Sequence, residues 1–84
     1  MKHVASAKFW ALYESMPAEI RAAADKQFAL LNSDPRHPSL HFKKVGSLWS
    51  VRVAGQYRVL GKDIEDGIVW FWIGSHADYD KLVG

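Results

Sequence analysis

Two arginines flank a short turn sequence, at positions where a hairpin would bring them together. Ala54-Gly55-Gln56 separates two segments rich in β-branched and aromatic residues, and this spacing predicts a β-hairpin. With a three-residue loop, Arg52 lies directly opposite Arg58 on one face of the sheet. Like charges in that position destabilise a sheet by up to about 1 kcal/mol. The pair therefore predicts an anion between the guanidinium groups, most simply a phosphate.

Two alternatives to this phosphate site remain open. A two-residue turn would place the arginines on opposite faces of the sheet. Each arginine could instead pair with one of the scattered carboxylates, as surface arginines often do.

A second candidate group follows an apolar run, in Gly74-Ser75-His76-Ala77-Asp78-Tyr79-Asp80. His76 has the chemistry of a general acid or base near neutral pH. Tyr79 lies three positions further along a predicted helix, hence on the same face, where it could hydrogen-bond to a base or stack on it. Asp78 or Asp80 could orient the histidine. The structural alternative is a helix cap followed by a packing aromatic residue.

Basic residues are concentrated in one part of the chain. The net charge is only +2, but no acidic residue occurs between Pro35 and Lys62. The lysines and arginines of that stretch are Arg36, Lys43, Lys44, Arg52, Arg58 and Lys62. This segregation predicts an anion-binding surface with Lys43 and Lys44 beside the two arginines. The structural alternative is a solvated sheet face with lysines along an edge strand.

Composition excludes several classes of protein. A chain of 84 residues predicts one domain over 1–84. Because it has no cysteine, disulfides and thiolate metal sites are excluded. The histidines have no supporting cluster of ligands and no glycine-rich phosphate loop occurs, so we expect no metal ion or cofactor. The longest apolar run, Ile68–Ile73, is far shorter than the roughly 20 residues of a membrane span. We therefore expect a cytoplasmic protein without a membrane partner.

The front of the chain has helical periodicity. The spacing i, i+3, i+4, i+7 in the segment Ala5–Met16 predicts one helix, and Pro17 suits the first turn of a second. Asn32–Pro35 ends the second helix. The apolar faces consist of Phe9, Leu12, Tyr13 and Met16 in the first helix and Ile20, Ala24, Phe28 and Leu31 in the second.

The remainder of the chain has strand patterns. Strands are predicted at Phe42–Val45, Leu48–Val53, Tyr57–Leu60 and Ile68–Ile73, with hairpin spacings between them. The last strand is apolar on both faces, which indicates a central position. Ser75 can cap a short helix through Leu82, and Met1–Val4 could form a short leading strand. The predicted fold is α+β: an N-terminal helical hairpin on a twisted, mainly antiparallel sheet of about four strands, with a short C-terminal helix.

The order of these segments resembles the RelE/ParE superfamily, the toxins of type II toxin–antitoxin systems. The resemblance covers nearly the whole chain and rests on Asp34–Leu40, Trp49–Val53, Tyr57–Leu60 and Trp70–Asp80. It implies a RelE-like fold and a microbial toxin neutralised by a cognate antitoxin. In the RelE-like branch, the toxin cleaves messenger RNA in the ribosomal A site. A 2′-hydroxyl attacks the adjacent phosphate and no metal takes part.

The resemblance also implies roles for particular residues. Arg58 matches the phosphate-contacting arginine of the family, and Arg52 matches a basic position on the preceding strand. His76 falls where members place arginine or histidine, and Tyr79 lies near the C-terminal aromatic residue. These four are the catalytic candidates, while Lys43, Lys44, Arg52 and Arg58 are the candidates for binding RNA or phosphate. Ser50 departs from the family, since nucleases of this kind often have a basic residue there.

Three other functions fit the same sequence. In the ParE-like branch the target is DNA gyrase, and no nuclease chemistry is required. A degenerate toxin would only bind its antitoxin. A small RNA-binding domain, outside the toxins, would use the basic face and aromatic residues without cleaving RNA.

Overall fold

The computed structural model describes residues 2–83. The helices are α1 (Ala7–Glu14), α2 (Ala18–Ser33) and α3 (His76–Val83), and a short 3₁₀ turn (Pro38–Leu40) follows α2. The strands are β1 (Lys2–Ala5), β2 (Lys43–Val45), β3 (Leu48–Ala54), β4 (Tyr57–Ile64) and β5 (Gly67–Ser75). The predicted α+β class is confirmed: α1 and α2 precede strands β2 to β5 and α3 follows them, while β1 comes before α1.

The sheet has five strands in the order β1-β5-β4-β3-β2. Strands β2 to β5 form antiparallel neighbours, as predicted, and β5 is a central strand. The fifth strand, β1, is parallel to β5 and corresponds to the leading strand that the sequence indicated, although Met1 lies outside the described residues. Gly67 allows this pairing, because a Cβ there would collide with the backbone of Lys2.

Helices α1 and α2 form the predicted hairpin. Ser6 caps α1, since its Oγ accepts a hydrogen bond from the Phe9 N–H at 3.2 Å. The Tyr13 hydroxyl donates to Asp25 Oδ1 across the two helices at 2.8 Å. The rings of Phe9 and Phe28 meet edge to face, with centroids 5.5 Å apart. These contacts fix the two helices to each other beside the sheet.

One face of the sheet packs against α1 and α2 and forms the main core. Of the apolar stripe predicted on α2, Ala24 and Leu31 are buried, whereas Ile20 and Phe28 are half-buried at its margin. The fully buried side chains include Phe9, Leu40, Ile68, Trp70 and Ile73. A register shift opposite Leu60–Gly61 adds one residue to β5, which lets both Trp70 and Ile73 face this core. Within residues 2–83, no helix is long and apolar enough to cross a membrane.

The other face of the sheet carries most of the charge. Directly opposed residues share a face, so the register assigns Lys43, Arg52, Arg58 and Lys62 to the side away from α1 and α2. We call these four residues the basic face. Helix α3 follows β5 and covers part of this side, where its Tyr79 is only 7% exposed. The basic face and α3 together contain most of the residues that the sequence singled out.

Candidate functional site

The β3–β4 hairpin places the two arginines side by side. Arg52 and Arg58 are Cα partners, so they lie on one face as predicted. The loop differs from the prediction: Ala54 pairs with Tyr57 across a two-residue turn, and the register then shifts at Val53. This bulge supplies the extra residue that the predicted three-residue loop would have contained. The alternative in which a two-residue turn separates the arginines is therefore wrong.

Among the residues that the structure describes, no carboxylate forms a salt bridge with either arginine. Within residues 2–83, the ion pairs are Lys44 with Asp63 and His76 with Asp80. Arg52 and Arg58 are both half-buried, so their mutual repulsion is only partly screened by water. The interpretation that each arginine pairs with a scattered carboxylate is wrong for the described part of the chain. Arginines at directly opposed positions of one face, without a carboxylate partner in the described part of the chain, can bind one phosphate through parallel N–H···O bonds.

Arg58 is held in place from two directions. One terminal N–H donates to the Oγ of Ser50, at 3.5 Å, and Ser50 is fully buried. The guanidinium carbon lies 5.2 Å from the centre of the Tyr79 ring, within the range of a cation–π contact. A guanidinium has five N–H donors, so these contacts leave most of them for a ligand. Ser50, which stands where the family often has a basic residue, thus supports Arg58.

Helix α3 begins beside the turn of this hairpin. The Ser75 Oγ accepts from the Asp78 N–H at 3.3 Å, which confirms the predicted cap. The His76 backbone N–H donates to the Gln56 carbonyl, in the β3–β4 turn. The His76 ring stacks on Tyr79 with centroids 5.7 Å apart. Since Arg58 contacts the same ring, Tyr79 connects the arginine pair to the histidine.

The His76 side chain has a carboxylate partner. Its Nε2 lies 3.4 Å from Asp80 Oδ2, one helical turn further on, and both side chains are largely exposed. Of the two aspartates named from the sequence, Asp80 is therefore the one placed to orient this imidazole. An oriented, solvent-accessible imidazole can give or take a proton.

Lys43 and Lys44 lie on different faces. Lys43 is the partner of Ser50 and belongs to the basic face. Lys44 is on the opposite side, with its Nζ 2.8 Å from Asp63 Oδ2 and 5.1 Å from the Trp49 ring centroid. The hydrogen bonds from Lys44 and from the Trp49 indole hold the pKa of Asp63 below its usual value. Lys43, but not Lys44, is thus available beside the arginines.

Two residues of the site were not among the candidates predicted from the sequence. Lys62 was named only in the basic stretch; it is on the basic face because β4 continues to Ile64, beyond the predicted end at Leu60. Gln27 on α2 is buried, and its amide donates to the Arg52 carbonyl at 2.9 Å and to the Ser39 carbonyl at 3.2 Å. Gln27 therefore holds β3 beside the bulge, and no local pattern identifies such a contact.

The described residues contain no group of three or more histidine and acidic side chains arranged to hold a metal ion. The chemistry available at the site is that of guanidinium, imidazole, phenol and hydroxyl groups.

The fold and these residues define the class of protein. A chain in the crystal structure of the RelB–RelE antitoxin–toxin complex from Methanococcus jannaschii has the same fold, with a TM-score of 0.73. The superposition covers 96% of this chain and 99% of that chain, at 16% sequence identity. The comparison with curated proteins found no match. At this identity the likeness defines the fold, which the molecule shares with a chain of that complex.

The particular family follows from the sequence match. The family model of the ParE-like toxin domain matches residues 18–81, a range that extends from α2 to α3 and includes the whole basic face. The chain belongs to the ParE-like toxin domain family.

Proposed function

We propose that this toxin cleaves messenger RNA on the ribosome by attack of a 2′-hydroxyl on the adjacent phosphate. The observation that carries the proposal is the pair Arg52 and Arg58, directly opposed and without carboxylate partners within residues 2–83. In this reaction the phosphorus gains a fifth oxygen ligand and additional negative charge. Positive groups fixed beforehand at that position stabilise the transition state more than the ground state.

The other residues have separate parts in the proposed reaction. One base removes the 2′-hydroxyl proton, and one acid protonates the departing 5′ oxygen, so the products are a 2′,3′-cyclic phosphate and a 5′-hydroxyl. His76 is the group suited to transferring one of these protons, with Asp80 orienting its ring. Tyr79 acts as a positioning residue, because its buried ring contacts both Arg58 and His76.

We propose a cognate antitoxin as the protein partner. The basic face is charged and partly open, and an acidic segment laid across it would compensate the two arginines. The structural neighbour from M. jannaschii is an antitoxin–toxin complex, which supports a partner of this kind. The partner would compete with RNA for the same guanidinium groups.

Inhibition of DNA gyrase is the second candidate function. The matching family model is named for ParE-like toxins, and Asp78 and Asp80 place negative charge beside His76 where a polyanion would be repelled. In this case the arginines would bind a protein or DNA surface, and no proton transfer by His76 would be required.

Inducible expression with pulse labelling of protein and DNA synthesis separates the two functions. The ribonuclease predicts a rapid stop in protein synthesis, absent in Arg58→Ala and retained in Lys8→Ala, which removes an exposed cation on α1. Circular dichroism would establish that both variants fold. A stop in DNA synthesis with translation initially intact would instead support gyrase inhibition.

Arg58→Lys and His76→Gln refine the test. Lysine keeps the charge but loses the planar fork, so it should restore only part of the activity. His76→Gln should slow cleavage of ribosome-bound message by about 10²-fold or more if the imidazole transfers a proton. Full toxicity of the folded Arg58→Ala variant would contradict the phosphate-binding role.

A further inference from the structure

A groove on the helix-bearing side of the sheet contains basic residues that the proposed reaction does not use. It lies between β1, the end of α2 and the segment after α2, and its lining includes His3, Arg36, His37, His41 and Phe42. We call it the histidine groove. Arg36 and His37 belong to the segment 34–40, which the sequence singled out and to which the proposed reaction assigns no role.

The hydrogen bonds of two histidines leave donors available in this groove. The Trp70 indole N–H donates to His3 Nδ1 at 3.1 Å, and the Ser39 backbone N–H donates to His37 Nδ1 at 3.2 Å. A neutral imidazole that accepts at Nδ1 has its proton on Nε2. Both rings can thus donate a hydrogen bond from Nε2 to an anionic oxygen. His41 has a positive φ of 45°, a conformation that is costly outside glycine and often occurs at functional positions.

The histidine groove adjoins a second hollow that reaches the end of β3. His37 lines both, and the second hollow is also lined by Lys26, Ser39 and Arg52. The Arg52 carbonyl, which accepts from Gln27, faces α2, while the register places the Arg52 side chain on the basic face. Beyond the short strand β2, the end of β3 has no strand beside it among the described residues, which opens the way from Arg52 to this hollow. Within residues 2–83, no aspartate or glutamate lines either depression.

The absence of acid along this path, in the part of the chain that the structure describes, points to an extended polyanion. The C-terminus of α2 borders the groove and favours one nearby cation by itself. This helix terminus does not account for the whole series of basic residues. The series runs from Arg52 past Lys26 and His37 to Arg36 and His41. A single nucleic-acid strand has regularly spaced phosphates, and proteins that bind such strands combine basic grooves with aromatic rings. Phe42, whose half-buried ring lies in the groove wall, supplies such a surface.

We propose that the histidine groove binds the RNA strand that continues from the phosphate held by Arg52 and Arg58. This inference rests on the proposed function, because it takes that phosphate as one end of the path. The flanking nucleotides follow the end of β3 past Lys26 and His37, and their phosphates lie against Arg36 and the imidazole donors. The groove thereby sets how many nucleotides beside the cleaved bond contribute to binding.

The test compares a short and a long RNA on the full chain. The probes are a 2′-O-methyl dinucleotide and a 2′-O-methyl octanucleotide, which the proposed reaction cannot cleave, measured by fluorescence anisotropy. The groove variant is Arg36→Gln/His37→Asn, in which asparagine can still accept from the Ser39 N–H and cap the 3₁₀ turn. Lys8→Gln is the control, because it removes one charge from an exposed position on α1.

The expected result is a length-dependent decrease in affinity. The groove variant should bind the octanucleotide about tenfold more weakly, the effect of removing one charge-assisted hydrogen bond. The slope of log affinity against log salt should fall by about 0.7 for each phosphate that the variant no longer neutralises. The dinucleotide should bind all three proteins equally. Equal octanucleotide binding by the groove variant and the wild type, or no binding by the wild type, would overturn the inference.

Arg58→Ala tests the proposed function separately. If Arg58→Ala weakens the binding of both probes and the groove variant weakens the binding of neither, the phosphate site is supported and the groove has no part in binding. If the groove variant weakens octanucleotide binding but Arg58→Ala changes the affinity for neither probe, RNA binds the groove and the proposed phosphate site is wrong.

Discussion

Replacing Arg52 by glutamine should stabilise the free protein while impairing its proposed activity. Arg52 is directly opposite Arg58, and neither has a carboxylate partner within residues 2–83. Opposed like charges cost a sheet between about 0.2 and 1 kcal/mol. Ser50 and Tyr79 hold the Arg58 guanidinium, so it cannot swing away freely to relieve the repulsion. Since both arginines are half-buried, we expect a gain of about 0.5 kcal/mol.

Thermal unfolding can resolve a gain of this size. For a chain of 84 residues, about 0.5 kcal/mol raises the midpoint by roughly 2–4 °C. The measurement needs low salt, because a Debye length of about 3 Å in 1 M salt should remove most of the difference. Lys62→Gln is the matched control, since Lys62 is on the same face but opposite the apolar Leu48. That variant should change the midpoint little.

Phosphate provides the second half of the test. The proposed phosphate site exists only in the folded protein, so inorganic phosphate that binds there should raise the midpoint of the wild type more than that of Arg52→Gln. An Arg52→Gln protein that is less stable than the wild type at low salt would refute the reasoning. So would a gain that Lys62→Gln reproduces, because the effect would then belong to net charge and not to the pair.

Three further variants test the surroundings of the site. Gly74→Ala should cost about 1–3 kcal/mol in urea unfolding, because its Cβ would collide with the Trp72 ring. Gln27→Leu should cost about 1–3 kcal/mol, chiefly because the half-buried Arg52 carbonyl loses its hydrogen bond, and should weaken phosphate binding as the β3 bulge relaxes. Burial holds the pKa of His3 below its ordinary value of 6.5. The contribution of neutral His3 to the free energy of unfolding is therefore fully present above pH 6.5 and is lost as the pH falls toward the folded pKa. His3→Gln should reduce the dependence of the unfolding free energy on pH in this range. An unchanged dependence would assign it to other groups.

Local patterns in the sequence were sufficient for most of the architecture. Helical and strand periodicities predicted the helix pair and the four antiparallel strands, because burial of one face imposes a repeat on each element. Ser75 was identified as a cap by its position alone, and its Oγ does accept from the Asp78 N–H. The short strand β1 was only indicated, since four residues carry little periodic signal.

The details of the candidate site depended on contacts between distant residues. The opposition of Arg52 and Arg58 was predicted with the wrong loop: the extra residue lies in a bulge of β3, beside the hydrogen bond from Gln27 to the Arg52 carbonyl. Lys43 and Lys44 are adjacent in sequence, yet alternation along β2 puts them on opposite faces. The roles assigned to His76 and the other site residues stay predictions.

Composition established that basic residues are concentrated between Pro35 and Lys62. Local patterns predicted that an apolar central strand precedes a capped helix and that two arginines meet across a hairpin. Contacts between elements showed which of these cations form ion pairs, which lie on the same face, and that His37 and Arg52 line one hollow. Periodicity cannot show this, because it reports burial within one element. Register shifts, ion pairs and grooves arise where elements distant in the chain meet.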